Sequence, residues 1–179
     1  RDRSSMQVDT DLSLSPNVGD VVLARVTEIG QHKRLEGPGS RRQTLFLGDE
    51  IVVAYGSRYA ADQFLAVLPG DLRPCNLAAA GGLAAEVLEY HDNMDPATVI
   101  EPIGLVTKAD GTRVNLRDCS PFDLGGSPIG ASSDDDAVPV IGVLGTSMNS
   151  GKSTTLACLA HGFVQAGLRV HVGKATGTG

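Results

Sequence analysis

The sequence predicts an α+β chain in which a β-rich N-terminal domain, a small barrel or sandwich, precedes the first βαβ unit of an α/β domain. Two observations support this class. Residues 20–116 contain short β-branched runs separated by turn signals, and residues 138–172 combine two apolar runs with a helical repeat. The predicted segments are a flexible arm at 1–17, the β-rich domain at 18–119, a linker rich in Ser, Gly, Pro and Asp at 120–137, and the α/β segment at 138–179.

Five runs in the β-rich domain have the length and composition of strands. Glycine-containing turns separate them, and Asp110-Gly111 is a strong hairpin signal. The predicted strands are residues 21–29, 44–47, 51–55, 103–108 and 112–116. Residues 59–68 are interpreted as a short helix, and one or two short helices are expected in the region that also contains the alanine-rich segment 77–90.

The segment 138–172 predicts a strand, a loop, a helix and a second strand. Residues 138–144 form an apolar run typical of a buried parallel strand, and residues 168–172 form a shorter one. Between them Leu156, Leu159 and Phe163 recur at helical spacing, and Gly167 stands where a glycine ends a helix. Because one βαβ unit cannot cover both faces of a parallel sheet, we expect the domain to continue beyond residue 179.

The loop before this helix has the residue types of a phosphate-binding P-loop. Glycine permits tight backbone turns around phosphates, a lysine neutralises their charge, and a following hydroxyl can bind magnesium. The predicted ligand is therefore ATP with Mg²⁺. The residues predicted to bind it are Gly145, Thr146, Asn149, Ser150, Gly151, Lys152, Ser153 and Thr154, with Ser153 as the magnesium ligand and Lys152 as a catalytic residue.

The spacing of this loop departs from the usual pattern, since Thr146 stands where the first glycine belongs and Gly145 comes one residue earlier. Gly-Thr, four residues, then Gly-Lys-Ser resembles the P-loop of dethiobiotin synthetase and of the cobyric acid and cobyrinic acid amide synthases. Those enzymes carry a lysine beside the phosphates after the second strand, and Lys174 occupies that place as a second catalytic candidate. The run from Lys174 to Gly179 is also similar to the D-glutamate N-acetyltransferase-like family. Both resemblances are confined to residues 138–179.

Three functions are consistent with these motifs. The first, implied by the synthetase resemblance, is an ATP-dependent ligase or phosphotransferase that phosphorylates a small carboxylate or carbamate and passes it to an amine. The second is an acyltransferase-like enzyme that holds the phosphates of CoA or a nucleotide in the loop. The third is a non-catalytic, NTP-gated or RNA-associated module. The synthetases often pair their subunits, so a homodimer is a further expectation.

The composition limits the classes of binding partner and the cellular location that the sequence favours. A net charge of −6 and a pI near 5.1 disfavour general attraction to nucleic acid or anionic membranes. The widely spaced Cys75, Cys119 and Cys158 contain no CxxC pair, which argues against a disulfide framework or a zinc site. No apolar run reaches the ~20 residues that cross a bilayer and the N-terminus is polar, so the sequence indicates a cytoplasmic protein. A small-molecule substrate is what the synthetase resemblance implies.

A basic cluster surrounds the Gly37-Pro38-Gly39 turn. It comprises His32, Lys33, Arg34, Arg41 and Arg42. The preceding run from Gly19 to Val22 is also seen at the start of oligonucleotide-binding barrels, so nucleic-acid binding is one hypothesis. Only Phe46 and Tyr55 are available nearby for base stacking, and the interpretation preferred from sequence is a solvated hairpin. The alternative is contact with a phosphate or carboxylate ligand. His91-Asp92 and the aspartates at 134–136 are interpreted as loop and linker features.

Overall fold

Alternating burial builds the strands of residues 6–119. In the strand 21–28, for example, Val22, Ala24 and Val26 are buried while Arg25 and Thr27 face solvent, as expected for a strand with one covered face. The computed structural model describes residues 6–37, 39, 41–119, 138–146 and 149–173, which fall into two compact units, one within 6–119 and one within 138–173. The elements of the first unit are β1 (Gln7–Asp9), β2 (Val21–Glu28), β3 (Arg34–Glu36), β4 (Arg42–Thr44), β5 (Glu50–Tyr55), β6 (Arg58–Tyr59), β7 (Phe64–Val67), β8 (Cys75–Ala79), β9 (Leu83–Tyr90), β10 (Thr98–Thr107) and α1 (Leu116–Cys119).

Five of these strands pair in a closed ring. β2 lies antiparallel between β10 and β5, and β8 lies antiparallel between β9 and β10. A short parallel contact between β5 and β9 closes the ring through the pairs Ala54↔Leu83 and Tyr55↔Ala84. Outside the ring, β1 pairs with β10, β7 with β9 and β6 with β7. The predicted β-rich domain is therefore confirmed, and its strand pairings have the connectivity of a small barrel.

The core of the first unit lies inside this ring. Its main cluster contains one aromatic residue, Tyr55, among aliphatic and small side chains, and the cluster is covered by the half-buried Leu14, Leu35 and Leu68. The remaining buried members of the cluster are Val22, Ala24, Val26, Leu45, Ile51, Val53, Leu72, Cys75, Leu77, Ala84, Ile100 and Leu105. Because all five ring strands contribute to the cluster, burial of apolar surface holds the strands together.

A buried carboxylate fastens the start of β2 to the chain that follows β10. Asp20, 4% exposed, accepts hydrogen bonds from the backbone N–H of Asn17 (2.9 Å), from Asn115 Nδ2 (3.0 Å) and from Arg113 (3.3 Å). The backbone of Val21 also donates to the carbonyl of Val114 (2.9 Å). Charged side chains are rarely buried without partners, so this set of donors explains how Asp20 is tolerated there.

Three of the five strand predictions are confirmed, because residues 21–29, 51–55 and 103–108 fall on β2, β5 and β10. The strand predicted at residues 44–47 is wrong, because β4 ends at Thr44. There the Asp49 carboxylate accepts the Phe46 N–H (2.8 Å) and holds a turn instead of a ladder. The strand predicted at residues 112–116 is also wrong, because these residues form only isolated β-bridges before α1. The Asp110-Gly111 turn itself is present, with Gly111 at φ +80°.

The helix predicted at residues 59–68 is wrong. This segment is the β6–β7 hairpin, in which Phe64 and Ala66 are buried and alternate with half-buried neighbours. The alanine-rich segment 77–90 is likewise β8 and β9, joined by a turn with Gly82 at φ +95°. Alanine favours helices by less than about 1 kcal/mol per residue, and the fit of these small side chains between packed strands outweighs that preference.

The flexible arm predicted at residues 1–17 is wrong for residues 7–9, which form strand β1 and pair with β10. The contact is close at Gly104, where a Cβ atom would meet the Asp9 backbone and would lie 2.8 Å from Val8 Cγ1. The predicted linker at 120–137 lies outside the described residues.

The second unit contains one helix, α2 (Lys152–Gln165), among its described residues. It ends as predicted at Gly167, whose φ is +81°, with hydrogen bonds from Gly167 N–H to Val164 O and from Leu168 N–H to Phe163 O, both 3.0 Å. Residues 138–144 and 168–172 are not in strands, because no described segment of this unit pairs with them. In the described part of the chain, no helix is both long enough and apolar enough to cross a membrane.

Candidate functional site

The loop before α2 is the candidate site, and its backbone turns sharply at two left-handed residues. Asn149 has φ +61° and Gly151 has φ +84°. Asparagine adopts this conformation more readily than most residues, and glycine adopts it without strain. Open space surrounds the position of a Cβ atom on Gly151, so glycine is required there for its φ rather than for clearance. Closely spaced left-handed residues form a concave nest of amide groups that attracts anions.

The glycine at the start of the loop has a different role. A Cβ atom on Gly145 would contact Ser150 Oγ and lie 2.7 Å from Lys152 Cγ. The beginning of the loop therefore packs directly against its end, and the missing side chain allows the two to approach. This contact gives a steric reason for glycine at 145, whereas Thr146, at the position of the usual first glycine, is exposed.

Lys152 lies at the junction of the loop and α2. Its ammonium group donates an exposed hydrogen bond to Ser150 Oγ over 3.1 Å, and the residue as a whole is partly buried. The cation is therefore held beside the loop. A phosphate oxygen is a stronger acceptor for an ammonium group than a serine hydroxyl, because the resulting hydrogen bond joins two opposite charges.

The start of α2 adds a second source of positive potential. Gly151 is the N-cap, no side chain caps the helix, and the first turn contains no acidic residue. The first amide groups of an α-helix lack carbonyl partners within the helix and carry the positive end of its dipole. Ser153 and Thr154 are exposed in this turn, which leaves their hydroxyls available to a ligand or to a magnesium ion held by one.

Lys174, the second predicted catalytic residue, lies outside the described residues, as do the aspartates at 134–136. Within the described residues, no cluster of three His, Cys, Asp or Glu side chains is placed to hold a metal ion. An open groove lies along one side of α2 and is lined by Thr154, Thr155, Cys158, Leu159, Gly162 and Phe163. Because the lining contains no charged group, the groove offers nothing that would attract a phosphate.

The basic cluster of the first unit is divided by the fold. β3 and β4 form a hairpin that carries Arg34, Arg41 and Arg42 at exposed positions. His32 instead lies inward, with Nε2 3.1 Å from the carbonyl of Ala78 and its ring edge-on to Phe64 at 5.6 Å. Burial lowers the pKa of His32, and the nearby positive charge of Arg58 lowers it further, although the Ala78 carbonyl acts in the opposite direction.

Two buried groups of the barrel were missed by the sequence analysis. The hydroxyl of Tyr55 is buried and has no hydrogen-bond partner among the described residues, and burial raises its pKa. Burial also raises the pKa of the neighbouring Cys75 thiol, to about 12. Both groups are neutral at physiological pH and therefore form part of the apolar core, not a reactive site. No local pattern indicates such a pair, since strands distant in sequence bring it together.

His91 is an exposed loop residue whose Nδ1 accepts the Asn93 N–H over 3.2 Å, as its sequence interpretation predicts. The left-handed conformation of Asn149 was not anticipated, although asparagine two residues before glycine is a signal that could have suggested it. No family model, curated protein or solved structure matches this chain.

Proposed function

We propose that residues 145–154 bind the phosphates of ATP with magnesium, and that the protein is an ATP-dependent ligase or phosphotransferase for a small carboxylate or amine. The observation that carries the proposal is the loop backbone, with left-handed residues at 149 and 151 immediately before the N-terminus of α2. A nest of amides at a helix N-terminus favours a bound anion through both hydrogen bonds and the helix dipole.

The side chains of the loop complement this backbone. Lys152 already lies beside the loop, and we expect its hydrogen bond to Ser150 to be exchanged for one to a phosphate oxygen. Ser153 is the residue that would hold magnesium through its hydroxyl, since hard oxygen ligands and phosphates are typical of protein Mg²⁺ sites. Bound magnesium would neutralise charge on the triphosphate.

The ligase hypothesis requires two balanced steps. A carboxylate oxygen of the substrate attacks the γ-phosphorus and ADP leaves, which produces an acyl phosphate. An amine then attacks the acyl carbon, inorganic phosphate leaves, and the amine nitrogen loses a proton. Lys152, and Lys174 by the synthetase resemblance, would stabilise negative charge on the phosphoryl oxygens in the first step.

Calorimetric titration of Mg-ATP into the wild-type chain and Lys152→Ala tests the binding step. Loss of a hydrogen bond to a charged group costs about 1.5–3 kcal/mol, so we expect Kd to rise by about tenfold to a hundredfold. Arg169→Ala is the matched control, because it removes an exposed cation of the same unit outside the loop. Equal affinity for wild type and Lys152→Ala would exclude the loop as the ATP site.

A phosphate-release assay with candidate carboxylates and amines tests the reaction. We expect release to require substrate and to be lost in Lys152→Ala. ATP binding without release under any condition would refute the ligase hypothesis while retaining the nucleotide site. A melting temperature raised by acetyl-CoA and not by Mg-ATP would favour the acyltransferase-like alternative instead.

A further inference from the structure

The β3–β4 hairpin of the first unit carries exposed arginines, and we call its described residues 34–37, 39 and 41–44 the basic ribbon. Its register places Arg34 opposite Thr44 and Glu36 opposite Arg42. Directly opposed residues of an antiparallel pair share one face, and alternate residues of a strand do so as well. All four side chains therefore lie on one face, away from Leu35, which packs against the barrel core.

The arginines of the basic ribbon have no ion pair with a carboxylate among the described residues. Three other arginines of the first unit do form ion pairs: Arg25 with Glu50 (2.9 Å), Arg73 with Asp71 (2.7 Å) and Arg113 with Asp20 (3.3 Å). Among the described residues, no ion pair involves Arg34, Arg41 or Arg42, and all three are exposed. The ribbon therefore concentrates available positive charge on a chain whose net charge is −6.

The ribbon is fixed to the barrel. The Glu36 N–H donates to the carbonyl of Ala80 in the β8–β9 turn over 2.8 Å, and the Leu45 N–H donates to the carbonyl of Lys33 over 3.0 Å. Leu35 packs against the core and Leu45 is buried within it. A surface that is already ordered avoids part of the entropy cost of binding, so weak individual contacts on it can add up.

An exposed aromatic ring follows the end of β4. Phe46 lies two residues beyond Thr44, the intervening Leu45 is buried, and Phe46 is 65% exposed. Its backbone is held by the hydrogen bond from its N–H to Asp49 Oδ2 (2.8 Å). Phe46 lies in the turn that follows β4, close in sequence to Thr44, which pairs with Arg34 at the open end of the hairpin.

We propose that the basic ribbon binds single-stranded nucleic acid, with phosphates on Arg34 and Arg42 and one base stacked on Phe46. Cations that follow a backbone together with an aromatic platform are the combination that recognises single strands without sequence preference. The proposal is independent of the P-loop, which lies in the other unit.

Fluorescence anisotropy of labelled oligouridylate and oligothymidylate with the full chain tests the proposal. Two phosphate contacts predict a slope of log K against log[salt] of about −1.4, which is roughly a sevenfold loss of affinity between about 50 and 200 mM salt. In the double variant Arg34→Gln/Arg42→Gln neither contact remains, so the slope should approach zero.

Phe46→Ser separates stacking from charge. We expect it to weaken binding at least about fivefold while leaving the salt slope unchanged. Glu36→Gln removes the one carboxylate on the ribbon and should strengthen binding. Two control variants should bind oligonucleotides like wild type. Arg73→Gln removes an exposed cation outside the ribbon that is paired with Asp71, and Lys152→Ala removes the cation of the P-loop. Circular dichroism melting of each variant checks that the barrel remains folded.

The proposal is overturned if neither oligonucleotide binds at about 50 mM salt, where backbone contacts are strongest. It is also overturned if the double arginine variant keeps the wild-type salt slope. Binding to phosphatidylserine vesicles without binding to oligonucleotides would reassign the ribbon to a membrane surface.

Discussion

Replacement of Gly151 by alanine tests whether the left-handed turn before α2 creates the anion site. At φ +84° a Cβ atom has open space around it, so the variant introduces backbone strain without a steric clash. A left-handed conformation costs a residue with a side chain about 1–2 kcal/mol. Because only the strained conformation presents the nest of amides, the Kd for Mg-ATP should rise by a factor of about 5–30.

A matched glycine on the same helix should respond in the opposite direction. Gly162 has ordinary helical geometry and open space around its Cβ position, so Gly162→Ala should stabilise α2 by up to about 1 kcal/mol. Hydrogen exchange of α2 amides measures both effects: protection should fall near the N-terminus in Gly151→Ala and rise throughout the helix in Gly162→Ala. Gly151→Asn should lie between wild type and Gly151→Ala, because asparagine adopts the left-handed conformation more readily.

ATP titration of the same three variants completes the test. If Gly151→Ala leaves both ATP affinity and α2 protection unchanged, the left-handed turn does not create the site. If Gly162→Ala weakens ATP binding as much as Gly151→Ala does, the effect belongs to the helix and not to the loop backbone.

Three further predictions concern the barrel. The pKa of His32 is lowered in the folded state, so the imidazole binds a proton more readily in the unfolded chain. The free energy of unfolding measured in urea should therefore fall as the pH drops below about 6.5, and His32→Gln should reduce this pH dependence. Tyr55→Phe removes a buried hydroxyl that has no partner in the described part of the chain. It should leave the thermal midpoint unchanged or raise it, whereas a large loss of stability would reveal an interaction at that hydroxyl. Gly104→Ala should displace β1 from β10, because its Cβ atom would meet the Asp9 backbone. Hydrogen exchange should then show a loss of amide protection confined to residues 7–9 and their partners in β10. Unchanged protection of these amides would contradict the prediction.

Features determined by neighbouring residues could be predicted from the sequence. The end of α2 at Gly167 and the turn at Gly111 each depend on a glycine that adopts positive φ within a few residues of its hydrogen-bond partners. The residues of the loop before α2 were identified for the same reason, since the P-loop pattern is local. Its function remains a prediction.

Features determined by distant contacts could not be predicted. The helix assigned to residues 59–68 contains good helix formers, and only the contact of β7 with β9 selects the strand. The inward position of His32 depends on Ala78 and Phe64, which are 46 and 32 residues away in sequence. The strands expected at 138–144 and 168–172 need partners of their own, and apolar composition alone does not supply them.

The parallel contact between β5 and β9 makes the barrel unequally resistant to opening. Ala54↔Leu83 and Tyr55↔Ala84 are its paired residues, whereas the register of β2 with β5 extends over five pairs. We therefore expect transient opening to begin at this contact, and the adjacent amides to exchange their hydrogens before those of β2. Water that entered at this contact would reach Tyr55. The strand pairing expected to open first therefore lies beside Tyr55, whose buried hydroxyl has no hydrogen-bond partner among the described residues.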